Sequence, residues 1–432
     1  MTKLQPIAVG MLVLAMLVPA AASAQIAVKA ETLHTAAGPT ITDGVVVIDA
    51  QGKIEAVGPA ASTPIPDDYE IIECAVTTPG LVDVRATAGL TGIFNVDHDQ
   101  DMLERSSPLQ PQLRAFDAYN TRDKLVGYIR SFGVTTIHTG HAPGELVTGR
   151  TVIVKTAGDT MEDVTVRADA AVTATLGAQA IKGGGKSPGT RGKQVAMLRD
   201  RLIKAQEYAA KWERWESKQN DADEDATDDG DADAKPGSPP ARDLAMEALA
   251  AVLNGETPMI ITAHRAQDIA TALRLAEEFG FTLWLDGAAE AYLFTDELAD
   301  TPVLLHPTMA RAVGEASNQS YETAKLLSDA GVTFAIQSGY EPYVPKVRVV
   351  LFEAGVAAGY GSLGFDRALR SITIDAARIL GIDDRVGSLE VGKDGDVAMY
   401  SGDPFEYTTH CLGAIIEGQR FVGEKDYQIG YP

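Results

Sequence analysis

Short β-branched runs separated by turn residues fill both ends of the chain, while apolar runs alternate with amphipathic stretches through its middle. Val45-Val46-Val47-Ile48-Asp49 is followed by Gln51-Gly52 and then Ile54-Glu55-Ala56-Val57-Gly58, which predicts two strands joined by a turn. The other end reads alike, with Val397-Ala398-Met399-Tyr400 and then an apolar run over 414–422. Two β-rich ends around an α/β middle predict one small discontinuous sheet domain beside a larger one. In the middle, a predicted helix over 122–132 precedes Val134-Thr135-Thr136-Ile137-His138. Met259-Ile260-Ile261-Thr262 precedes a predicted helix over 268–279, which leads to Thr282-Leu283-Trp284-Leu285. Further strands are expected at 302–306 and 333–337. Such alternation marks a parallel α/β fold, and periodicity alone leaves a closed (β/α)8 barrel and an open doubly wound sheet both open.

Leu198, Leu202, Ala205, Ala209, Trp212 and Trp215 recur at the spacing of one helix face. The stretch after them, about 219–242, is rich in Asp, Ala, Gly, Ser and Pro. It holds too little apolar surface to offset chain entropy and is expected to be a disordered acidic insert. At 432 residues and 45% hydrophobic, the chain is long enough for a barrel-sized core and a second domain. A formal charge of −23 argues against nucleic acid or an anionic membrane surface as partner, although eight acids between Asp221 and Asp233 make part of that charge local. Lys3, the apolar run 7–18 and Ala22-Ser23-Ala24 read as a signal peptide over 1–24, so a secreted or periplasmic protein with no membrane span after cleavage is expected. Export would permit a disulfide between Cys74 and Cys411, the chain's two cysteines, and two free thiols are the alternative.

Pro79-Gly80-Leu81-Val82-Asp83 resembles the segment that leads into the first barrel strand of the amidohydrolase superfamily. Gly133-Val134-Thr135-Thr136, Ala263-His264-Arg265-Ala266-Gln267-Asp268-Ile269 and the closing pair Ala376-Ala377-Arg378-Ile379-Leu380-Gly381 and Gly387-Ser388-Leu389-Glu390-Val391-Gly392-Lys393-Asp394-Gly395-Asp396 are similar to segments of its exported, imidazolonepropionase-like members. The resemblance covers nearly the whole mature chain. It implies a (β/α)8 TIM-like barrel over 78–384 beside a β-sandwich built from 25–77 and 385–432. By activity it implies a hydrolase of carbon–nitrogen bonds other than peptide bonds, with a small-molecule amide as substrate.

Family members place histidines and a carboxylate at the strand ends, where a bound metal activates water. Matched position by position, those ligands become Arg85, Thr87, Thr262, Gly287 and Gly339 in this chain. Two readings follow. On the first, the protein is a pseudoenzyme. Arg85 puts a fixed charge where the cation would sit, and the chain binds an anionic ligand or assembles, as a homo-oligomer or with an active relative. On the second, the ligands have moved. His98, His138, His141 and His264 are then expected to converge on zinc or another divalent metal with Asp99 or Asp101, or one of these aspartates acts as base with Arg85 stabilising an oxyanion. His306, before Pro307, and His410, beside Cys411, stand isolated in the sequence. Gly183-Gly184-Gly185-Lys186-Ser187 lacks the spaced first glycine of a phosphate loop and reads as a flexible loop.

Overall fold

The computed structural model describes residues 25–92, 96–225, 238–340 and 349–422. The expected signal segment therefore lies outside the described residues.

Both chain ends contribute to one sheet. Strands β1 (Ile26–Leu33), β2 (Ile41–Ile48), β3 (Ile54–Pro59) and β4 (Glu70–Pro79) come from the first part of the chain. The middle supplies β5 (Leu81–Ala86), β6 (Val134–Thr139), β7 (Val147–Arg150), β8 (Val152–Lys155), β9 (Thr165–Arg167), β10 (Val172–Thr175), β11 (Met259–Ala263), β12 (Leu283–Gly287), β13 (Val303–Leu305) and β14 (Phe334–Ile336). The last part adds β15 (Val397–Tyr400), β16 (Cys411–Ile416) and β17 (Gln419–Val422). The end strands form a seven-stranded sheet ordered β17-β16-β15-β4-β1-β2-β3. Strand β4 stays in that sheet to Pro79, so the boundary expected at 77/78 falls inside a strand. Cys74 on β4 and Cys411 on β16 are separated by β15, and both are free thiols.

The middle strands form a six-stranded sheet ordered β14-β13-β12-β11-β10-β7 and a four-stranded sheet ordered β5-β6-β8-β9. From β10 to β14 every pair is parallel, as is β5 with β6. These parallel strands are buried along their whole length, which explains their continuous apolar runs: both faces are covered. One face brings Val82, Val84, Ile260, Trp284, Leu304 and Ala335 into a single cluster. The other packs Ile261, Leu285, Leu305 and Ile336 in the cluster that includes the helical residues Ile269, Ala272 and Leu275. Gly339 N, beyond β14, donates to Arg85 O of β5 at 3.2 Å, and Thr151 N, between β7 and β8, donates to Ala171 O, just before β10, at 2.9 Å.

The helix Arg191–Asp225 is longer than its apolar face predicts and takes in the start of the acidic insert. Leu198, Leu202 and Ala205 are buried, Tyr208 Oη donates to Glu247 Oε1 at 3.2 Å, and Trp212 packs edge-on against Trp215. Once that packing has set the first turns, each added residue gains a backbone bond without a new nucleation cost, so the helix runs on. Asp243 restarts helical structure by capping Leu244–Leu253, accepting from Ala245 N and Met246 N. Residues 226–237 of the insert lie outside the described residues.

Candidate functional site

Strand alternation builds a polar layer directly above the apolar cluster. Ile260 and Thr262 share a face of β11, Trp284 and Asp286 share a face of β12, and Gln337 follows Ala335 on the same face. Thr262 Oγ1 donates to Asp286 Oδ2 at 2.6 Å. Gln337 Nε2 donates to Asp286 Oδ1 at 2.7 Å and to Leu304 O at 2.7 Å. Arg85, at the end of β5, brings its Nε to 4.0 Å from Asp286 Oδ2, and its Nη2 donates to His141 O. Its guanidinium also lies 5.8 Å from the Tyr340 ring centre. Arg85 is 1% exposed and Asp286 fully buried. Burial pulls the guanidinium pKa down and the Asp286 charge opposes the pull. One turn deeper, burial lifts the Asp83 carboxyl to about 6, although Ser338 and the Arg85 N–H donate to it.

Two glycines at this level are tightly enclosed. A Cβ on Gly287, whose φ is +78°, would stand 2.6 Å from His264 Cε1. A Cβ on Gly339, φ +84°, would stand 2.6 Å from Pro307 Cγ. The His264 ring and Pro307 thus occupy the space that side chains at these positions would enter.

As donors for a divalent cation, the residues at the five positions matched to metal ligands do not fit. Arg85 contributes positive charge, Thr87 and Thr262 weak neutral hydroxyls, and the glycines nothing. The layer's one carboxylate, Asp286, is already held by Thr262 and Gln337. No group of three or more His, Cys, Asp or Glu side chains among the described residues is placed to hold a metal ion.

The alternative ligand set is not assembled. His138 lies within β6, not in a loop, with Nδ1 donating to Val84 O at 2.8 Å and Nε2 2.6 Å from Thr151 Oγ1. Its ring meets Trp284 edge-on at 5.9 Å. Burial, then the Arg85 charge, push the His138 pKa down to about 3 and that of His141 to about 4. His98 and Asp101 are exposed, and Asp99 packs against Gly92. Neither Asp99 nor Asp101 forms an ion pair with Arg85, whose carboxylate neighbour is Asp286.

Sequence reasoning missed Asp286 and Gln337. The signal was available: each is a polar residue on the inward face of an otherwise apolar strand, a position costly to bury without a partner. It also set His306 aside as isolated, whereas His306 and His264 line one cavity of about 420 Å³ with Pro307, Glu315, Gln319 and Tyr340. Arg85 is not part of that lining. A larger groove of about 1110 Å³, lined by Phe132, Phe352, Phe405 and Tyr407 among others, shares no residue with the polar layer.

A parallel α/β scaffold with a polar layer at its strand ends defines the class of protein, an α/β fold with a candidate site above the sheet. Comparison with known proteins makes this specific. The amidohydrolase family model matches residues 301–422. An imidazolonepropionase of Rhizobium rhizogenes is 24% identical over 404 residues, covering 87% of this chain and 90% of its own length. An amidohydrolase of Hapsidospora irregularis is 24% identical over 85% of this chain, which spans only 38% of that relative. The crystal structure of an amidohydrolase from Thermotoga maritima superposes with a TM-score of 0.80 at 27% identity, covering 92% of this chain and 99% of the other. The chain belongs to the amidohydrolase superfamily.

Proposed function

We propose that this chain is a metal-independent, small-molecule-binding member of the superfamily and not a metal-dependent carbon–nitrogen hydrolase. The observation that carries the reading is Arg85. A buried guanidinium, paired with Asp286, holds a permanent positive charge at the strand end matched to the first metal ligands. The enclosed Gly287 and Gly339 support it, because His264 and Pro307 fill the space that ligating side chains there would need.

The reading takes the middle strands as a closed (β/α)8 barrel and the end strands as a β-sandwich beside it. Support comes from the parallel run β10 to β14, the backbone bond from Gly339 N to Arg85 O and the likeness to the Thermotoga maritima structure. Export is part of the proposal, supported by the basic and apolar pattern of residues 1–24. Among the described residues, no helix is long and apolar enough to cross a membrane.

The test is turnover. Wild-type protein and a His264→Ala variant are assayed against a panel of amides and lactams, with and without added zinc. The proposal expects no hydrolysis above the buffer rate in any arm. Zinc-dependent hydrolysis that disappears in the variant would overturn it.

A further inference from the structure

Two side chains of the cavity, His306 and Gln319, have a defined hydrogen-bonding sense. His306 is 3% exposed, and its Nδ1 lies 2.9 Å from Pro307 O. A carbonyl oxygen only accepts, so Nδ1 carries the proton, and in the neutral ring Nε2 is left with a lone pair. That Nε2 is buried and has no hydrogen-bond partner among the described residues. Gln319 repeats the logic. Its Nε2 donates to Ala310 O, which leaves Oε1 as a second buried acceptor without a partner among the described residues. The Glu315 carboxylate lies in the same wall, accepting from Ala178 N and ion-paired with Arg191 Nη2. Among the described residues Arg311 is the one guanidinium in the lining, and it is exposed. Arg85, the group an anion would seek, lies outside the lining.

From this geometry we infer that the cavity takes a small organic cation, an amidinium or protonated amine whose N–H groups donate to His306 Nε2 and Gln319 Oε1. At His306 Nε2 and Gln319 Oε1 an anionic ligand would meet lone pairs instead. The inference rests on the reading of this site as a ligand-binding one. A buried acceptor regains the hydrogen bond it lacks when a charged N–H enters, whereas a ligand carboxylate leaves it unpaired and adds repulsion. The chain's net charge of −23 favours approach of a cation.

The probes are benzamidine and benzoate, which share a ring and differ in the sign of the charged group. Their binding to the full mature protein is followed by titration calorimetry, while long-range proton–nitrogen NMR on histidine-labelled protein reports the His306 tautomer. The expected result is an Nδ1–H tautomer in the free protein, with benzamidine bound and benzoate at least about tenfold weaker. His306→Phe and Gln319→Leu should each weaken benzamidine by about tenfold or more. Two variants at separate sites guard against misfolding of either one, and thermal unfolding checks both. An Nε2–H tautomer overturns the inference without reference to any ligand. Benzoate binding as tightly as benzamidine overturns the cation class and leaves the ligand-binding reading standing. Binding of neither probe at millimolar concentration counts against both.

Discussion

Replacing Arg85 with methionine tests the buried pair that organises the site. Arg85 Nε stands 4.0 Å from Asp286 Oδ2, and neither side chain reaches solvent to any useful extent. At that separation and an effective dielectric of about 20, the attraction is of order 4 kcal/mol. Arg85→Met removes it and leaves a buried carboxylate held, among the described residues, by Thr262 and Gln337. Two terms work the other way. Methionine packs well among apolar neighbours, and the substitution deletes the Arg85 Nε and Nη1 donors, which lack hydrogen-bond partners among the described residues. The net expectation is a loss of about 3 kcal/mol. Asp286→Asn should cost a similar amount by stranding the guanidinium. The double variant removes both charges and should return to within about 1 kcal/mol of wild type. Urea unfolding followed by tryptophan fluorescence measures all four proteins. Costs that simply add in the double variant, or an Arg85→Met protein as stable as wild type, would refute the pairing as drawn.

Acid should unfold the protein through its buried imidazoles. His138 is pushed down to about 3, and His141 and His306 to about 4, so between pH 6.5 and 4 the unfolded chain binds more protons than the native one and stability falls as pH drops. Asp83, lifted to about 6, acts in the opposite sense: its contribution is present below about 4 and is lost as pH rises through 6. Combining these gives a net loss of about 4 kcal/mol from pH 7 to pH 5, and a flat unfolding midpoint over that range would contradict it. Gly287→Ala places a methyl group 2.6 Å from His264 Cε1 at a φ of +78° and should cost about 2 kcal/mol while shifting the His264 ring resonances. An unchanged spectrum would show that the ring does not fill that space. Asp243→Ala removes the cap of Leu244–Leu253 and should cost about 1 kcal/mol by thermal unfolding, with no change at the His264 cavity.

Most of the parallel framework was legible because its strands are apolar on both faces, as Met259-Ile260-Ile261 shows. The shared terminal sheet was legible too, from the β-branched run at 45–48 and the apolar run at 397–400. What escaped was set by partners distant in sequence. Asp286 is informative only beside Thr262, Gln337 and Arg85, which strands far apart in the chain bring together. His306 gains meaning only from Pro307, which fixes its tautomer, and from Gln319 across the cavity. The helix Arg191–Asp225 outran its apolar stripe because propagation depends on the turn already formed, not on the local composition alone. Histidines grouped by sequence position scattered because His138 faces into the sheet core while His98 is exposed.

The central claim is that a fixed charge stands at the strand end that the sequence resemblance matches to a metal ligand. Elemental analysis of mature protein, purified without chelators and again after incubation with excess zinc and desalting, tests it most directly. The account predicts zinc, iron and manganese far below one equivalent in both preparations. Near-stoichiometric metal that is lost in a His264→Ala variant, and retained in Arg85→Met, would contradict it.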